Sequence, residues 1–301
     1  MSFDHFLAQS WNDHGKDAWG VFKKFPDGIA LVDKNEQIPR LAQLIAHVSG
    51  EHLGAWDQGI DLLQKLRHLS CFESSSESDA AINRLSASLE IAAGKNNVLT
   101  RFSQSDQIRI LATAASALCG QNKSTEAETL FKHALELARP DLDKTDPACR
   151  SLAVTGNNLA CSLEEKSERS TADTQLMILA AETARKYWEL AGTWLEIERA
   201  EYRLAMTYLV AKDFAKAHAH AQNCIDLAKS NAAAPLELFF GFEALALVEH
   251  ARNAAGFSSA LEQMQHYFSV LSADDQSWCD KSLQKLIQLS SAPRVSAGSS
   301  G

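Results

Sequence analysis

The stretch Arg199–Lys229 constrains the fold more than any other part of the chain. Two apolar stripes of helical period lie in it, Leu204, Ala205 and Tyr208, then Phe214, Ala217, Ala221 and Cys224. The short polar break Ala211-Lys212-Asp213 separates them. Spacing of this kind puts each stripe on one helix face, and so short a break folds the second helix back on the first. Facing positions that are small or aromatic let the two backbones approach closely. One hairpin cannot bury its outer apolar face alone, so further copies must stack beside it.

The chain supplies such copies at regular intervals. Twelve positions separate Ala115 from Ala127, Ala205 from Ala217 and Val248 from Ala260. Seven separate Ala127 from Ala134, Ala184 from Ala191, Ala217 from Cys224 and Ala260 from Tyr267. Ala160 and Ala184 depart from this, standing 24 apart, because the charged stretch Glu164–Asp173 and its neighbours are inserted there. With only 6 Pro and 14 Gly among 301 residues, and abundant Ala and Leu, the composition favours helix throughout. The expected fold class is all-α, with about twelve or thirteen helices.

Leu111, Ala115, Ala127, Phe131 and Ala134, then Asn158-Leu159-Ala160, then Leu204-Ala205, Tyr208 and Ala217, give the chain its resemblance to the tetratricopeptide repeat (TPR) family. The likeness covers roughly Ser105–Leu271 well and Ser2–Leu69 loosely. It departs in period: Ala115, Ala160, Ala205 and Val248 are 45, 45 and 43 apart, against about 34 in the usual repeat. The resemblance implies a right-handed superhelix of stacked antiparallel helix pairs, whose first helices line a concave groove. It also implies a non-enzymatic scaffold or adaptor binding a protein or peptide. In the family's carboxylate-clamp members, an Asn before the Leu-Ala pair acts with two basic residues of the next repeat. Asn158 matches that Asn, and Arg199 and Arg203 match the basic positions, whereas Ala112 and Ser116 stand where a Lys and an Asn would be.

Two arginines four apart share a helix face, and with a neighbouring amide they suit a carboxylate through bidentate, charge-assisted hydrogen bonds. An acidic or carboxylate-bearing partner segment is therefore the candidate occupant, with Arg109 extending the patch and Tyr208 and Phe242 completing the set. The competing reading has Arg199 and Arg203 pairing with Glu196, Glu198 or Glu164, and Asn158 bonding backbone. Phe239-Phe240, with Phe242, either packs under the preceding repeat or forms a cleft for an apolar partner residue. The alternative function is a ligand- or peptide-sensing regulatory domain, with a pocket walled by Tyr208, Phe242 or Trp188.

Along the chain, residues 1–103 read as an N-terminal helical cap and divergent repeats, 104–272 as the TPR-like array, 273–290 as a capping helix and 291–301 as a disordered tail. Ser2–Phe25 looks like a first hairpin turning at Asp13-His14-Gly15 and ended by Pro26-Asp27-Gly28. The helix through Ile82, Leu85, Leu89 and Ile91 has no obvious hairpin partner. Ser105 or Asp106, and then Ser124, are the expected helix caps, and Pro140 closes the helix that Ser124 starts.

A net charge of −9 argues against a nucleic-acid or anionic-membrane surface. No apolar run is long enough to span a membrane, and the N-terminus has no export signal pattern. The six cysteines form no CxxC pair and read as core residues of a reducing compartment, which makes the cytoplasm the expected location. GQNKS at 120–124 lacks the glycine before its lysine, so it is no phosphate loop, and no GxSxG, HExxH or GxGxxG occurs. Of ten histidines, His218 and His220 point to different sides of a helix. His47 and Glu51, with His52 next, form the best local cluster, yet without the paired His or Cys spacing of a zinc site. The expectation is structural or solvent-facing histidines, no metal, no cofactor and no enzyme activity. The sequence sets no oligomeric state.

Overall fold

The computed structural model describes residues 1–95, 97–139 and 142–291. Helix makes up 79% of the structure, strands are absent among the described residues, and the helices pack in adjacent pairs. In chain order the fifteen α-helices are α1 (Phe3–Asp13), α2 (Ala18–Lys23), α3 (Phe25–Ala30), α4 (Ile38–His47), α5 (Trp56–Lys65), α6 (Glu77–Ala92), α7 (Gln104–Gly120) and α8 (Ser124–Leu137), followed by α9 (Pro147–Glu164), α10 (Thr171–Ala191), α11 (Trp194–Val210), α12 (Phe214–Ser230), α13 (Pro235–Ala251), α14 (Gly256–Ser269) and α15 (Ala273–Ser291). Among the described residues, none is long and apolar enough to cross a membrane. Pro140 and residues 292–301, expected as a helix stop and most of the tail, lie outside the described residues.

The chain divides into two compact units, residues 1–155 with 169–176, and residues 156–168 with 177–301. The first is built on Phe6, Phe25, Ile38, Leu41, Ile45, Leu63, Ile82 and neighbours, all buried. Pro26 opens α3 there instead of ending a hairpin, because a proline in the first helical turn lacks only an N–H that has no helical partner anyway. α6, which has no mate in the sequence pattern, packs on α4, α5 and α7. The α7 cap is Ser103, whose hydroxyl accepts from the Asp106 N–H at 3.2 Å, so neither Ser105 nor Asp106 fills that place. Ser124 is the first residue of α8, not its cap, and its hydroxyl donates to Asp173 at 2.6 Å.

Between α4 and α5 the backbone widens into a π-turn, Val48–His52, in which the Leu53 N–H reaches back to the Val48 carbonyl at 3.2 Å. The carbonyls displaced there are served from α7's end: the Gln121 side-chain amide donates to Glu51 O at 2.8 Å and Gly50 O at 3.4 Å. Gly120 allows this close approach. A Cβ at that position would lie 2.2 Å from the Glu51 carbonyl oxygen.

In the second unit α11 pairs with α12, α12 with α13 and α13 with α14, while α15 covers α13 and α14. Ala205, Ala221 and Ala244 meet in one fully buried cluster, so the three helices α11, α12 and α13 approach through their smallest side chains. α11 starts at a capping box in which the Thr193 N–H donates to Glu196 at 2.8 Å. A larger apolar cluster, with Phe239, Phe257, Met264, Leu283 and Leu286, fills the space under α15.

Candidate functional site

The second unit carries a cleft of about 440 Å³. One turn of α11 supplies Glu198, Arg199, Tyr202 and Arg203, residues at helical i, i+4 spacing that share a face. α13 adds Leu236, Glu237 and Phe240, α15 adds Trp278, and α9 adds Asn157. The aromatic wall is continuous, since Phe240 meets Tyr202 with ring centroids 5.9 Å apart and Trp278 at 5.2 Å, both edge-on. Trp278 is 66% exposed, an unusual position for so large an apolar surface.

The polar groups of this cleft answer one another. The Arg199 guanidinium binds Glu237 bidentately, Nη2 to Oε1 at 2.6 Å and Nε to Oε2 at 3.2 Å. Arg203 pairs with Glu164, whose second oxygen accepts from the Thr207 hydroxyl at 2.5 Å. Burial pushes the Glu164 carboxyl up, against the opposing pull of Arg203. Tyr202 donates its hydroxyl to Glu243 at 3.1 Å, and burial holds Glu243 above the usual carboxylate range.

Two atoms are exceptions. The buried Arg203 Nε has no acceptor among the described residues, and the other belongs to Glu198. It is only 1% exposed, its Oε1 accepts the Cys224 S–H at 2.7 Å, and its Oε2 lacks a hydrogen-bond donor among the described residues. Burial, with the Glu237 carboxylate beside it, raises its carboxyl to about 7. A proton on Glu198 resolves the mismatch, because the protonated acid donates toward Glu237 where two carboxylates would repel. Burial and the Glu198 carboxylate likewise push the Cys224 thiol far up, so this cysteine is held as an unreactive thiol.

Of the candidate binding residues Arg109, Asn158, Arg199, Arg203, Tyr208 and Phe242, Arg199 and Arg203 line this cleft, and they do so with their guanidinium groups on Glu237 and Glu164. Asn158 is exposed and accepts from the Asn157 amide at 3.3 Å, and it is Asn157 that faces the cleft. Tyr208 is buried, donates to Glu182 at 2.5 Å and stacks on His220 with centroids 5.5 Å apart. Phe242 is buried and stacks on Tyr267 at 5.6 Å. Arg109 belongs to the first unit, in a smaller cleft of about 190 Å³ that also includes Arg84 and Glu77. Both guanidinium groups of that cleft are in use: Arg84 pairs with Glu77, and Arg84 and Arg109 share Asp106 at 3.3 Å each. Burial, and Arg84 beside it, lower the Arg109 guanidinium from its ordinary range.

Of the aromatic residues that wall the cleft, Tyr202 and Trp278 fall outside the sequence selection. Phe240 was within reach as half of the Phe239-Phe240 pair, in which Phe239 packs inward at 0% exposure and Phe240 turns to the cleft.

The first unit brings together three histidines. His14 Nε2 lies 3.1 Å from His47 Nε2, which lies 3.2 Å from His52 Nε2, and one ring nitrogen of each falls within 4.8 Å of the others. Burial and the two neighbouring imidazoles lower the His52 pKa. The local cluster expected from the sequence, His47 and Glu51 with His52, gains His14 here. His14 enters from 33 positions upstream of His47, and the π-turn changes the spacing that an α-helix would give. No family model, curated protein or solved structure matches this chain.

Proposed function

We propose that this chain is a non-enzymatic, TPR-like helical-repeat module that binds a protein or peptide partner in the cleft of its second unit. The single observation that carries the reading is the aromatic wall of Tyr202, Phe240 and the exposed Trp278 around a cleft of about 440 Å³. Exposed tryptophan next to buried aromatic surface is the pattern of an anchoring pocket at a protein interface. The repeated twelve- and seven-residue intervals and the packing of helices in adjacent pairs support the repeat assignment. A cytoplasmic setting, with no nucleic-acid partner, belongs to the same proposal and rests on the cysteine usage and the net charge of −9.

The favoured occupant is an apolar or aromatic side chain flanked by a hydrogen-bonding group. An acidic segment competes with Glu237 for Arg199, because the fork of that arginine is already filled by a carboxylate. A second reading, a sensor of a small ligand, draws on the cleft volume, which falls within the roughly 300–1,000 Å³ of small-molecule sites. The test is affinity capture of partners from source-cell extract with the wild type and Trp278→Ser. The variant should lose a captured protein at unchanged helix content. Full retention of every captured protein overturns the reading. A melting-temperature rise with a small metabolite, abolished by Trp278→Ser, selects the sensor instead.

A further inference from the structure

We infer that His14, His47 and His52 form a three-histidine site for a divalent transition metal, zinc by its geometry. The convergence of three ring nitrogens, with the outer nitrogens of two rings already held, carries this. His14 Nδ1 lies 2.6 Å from the Trp11 carbonyl oxygen, which can only accept, so that nitrogen carries a proton. His47 Nδ1 lies 3.0 Å from the Glu51 carboxylate, which also accepts, so it too is the protonated nitrogen. A neutral imidazole has a single N–H. With both rings neutral, both Nε2 atoms present bare lone pairs, and they face each other across 3.1 Å. His52 can donate to one of them, at 3.2 Å from His47, but no arrangement of neutral rings puts a proton between His14 and His47. A proton, making one ring an imidazolium, or a metal cation between the rings removes the repulsion, and the three-ring geometry selects the metal.

The spacing suits that cation. Zinc–nitrogen bonds of about 2.0–2.1 Å in a tetrahedron put ligand nitrogens about 3.3–3.4 Å apart. Two edges of the triangle measure 3.1 and 3.2 Å, and the third, between His14 and the exposed His52, lies within 4.8 Å. The contacts that fix the rings are those of a metal-ligating histidine, whose far nitrogen is held by a carboxylate or a backbone carbonyl. Glu51 does this for His47, and Trp11 O does it for His14. The Trp11 ring packs on both imidazoles, with centroids 5.3 Å from His14 and 5.2 Å from His47.

The backbone is built for the same end. Residues five apart on an ideal α-helix point about 140° away from each other. The π-turn Val48–His52 widens the coil so that His47 and His52 converge, with ring centroids 4.9 Å apart. Gln121 and Gly120 hold that turn from α7. Three histidines leave a fourth coordination position for water or an outside ligand.

The test titrates cobalt(II), then zinc, into the tag-free full chain after treatment with a chelator. One equivalent of cobalt should give the visible absorption of four-coordinate cobalt, and zinc should displace it. His14→Gln should abolish the spectrum at unchanged helix content, and the exposed His52→Gln gives the same reading should His14→Gln fail to fold. Glu51→Gln should keep the site with affinity lowered about 10–100-fold. Three results overturn the inference: no cobalt spectrum, a spectrum that survives loss of a named histidine, or the near-ultraviolet band of a thiolate–cobalt bond.

Discussion

The cleft of the second unit and the histidine cluster of the first each contain a polar group that its neighbours leave mismatched, and they resolve it differently. In the cleft, Arg199 and Arg203 already hold Glu237 and Glu164, and the mismatch of Glu198 against Glu237 is of a kind that a single proton relieves, with burial raising the Glu198 carboxyl to about 7. At the cluster, the Nδ1 atoms of His14 and His47 are held by Trp11 and Glu51, so with neutral rings the facing Nε2 nitrogens are left for a cation. Charged residues on a helix face thus form internal pairs that organise the fold. Lone pairs that the chain itself cannot satisfy mark where a ligand belongs. In the functions proposed above, the cleft would offer a partner its aromatic surface, and the cluster would offer a metal its nitrogens.

The largest effect that bears on this contrast comes from Gly120→Ala. The new methyl collides with the Glu51 backbone, which cannot yield without unmaking the π-turn. Thermal melting should register a loss of about 3 kcal/mol, with loss of metal binding. A neutral result would remove the support assigned to α7. Next is Glu164→Ala, which strands the partly buried Arg203. It should cost about 2–3 kcal/mol in denaturant unfolding, and a change below about 0.5 kcal/mol would mean that this pair does not organise the cleft.

Glu198→Gln separates proton from charge. Folding raises this carboxyl from 4.5 to about 7, so between those values the folded chain holds more of its proton than the unfolded chain does. Its contribution to stability is therefore fullest below about pH 4.5 and falls as pH rises to about 7. The glutamine variant should lack that decline and be on the order of 1–2 kcal/mol more stable than wild type at pH 8. Parallel stability curves for the two would contradict the shared-proton account. The smallest effect on stability belongs to Trp278→Ser, within about 0.5 kcal/mol because the ring is mostly exposed. Loss of partner capture by this variant, as proposed above, would then reflect the cleft surface rather than the fold.

The helix pairs of the second unit were legible because their apolar residues recur at helical intervals and their turns are short. Leu204, Ala205, Tyr208, Ala217 and Cys224 are all buried, as the stripes require. The partners of Arg199 and Arg203 were half legible: Glu164 was among the expected carboxylates, while Glu237 comes from α13, 38 positions away, beyond any local pattern. Tyr208 and Phe242 look alike to a reader of periodicity whether they face a cleft or a core, and neighbours on other helices decide between these. The histidine site was hidden for two physical reasons. Its third ligand follows α1 in a different part of the chain, and the π-turn alters the angular step on which helical spacing arguments rest.

The ring protons at the cluster can be read directly from long-range proton–nitrogen correlation spectra of the histidine side chains, first with a chelator and then with zinc. The account predicts that His14 and His47 both carry their proton on Nδ1 at pH 8, and that zinc shifts the Nε2 resonance of each. A proton on Nε2 of either residue, or spectra unmoved by zinc, would contradict it.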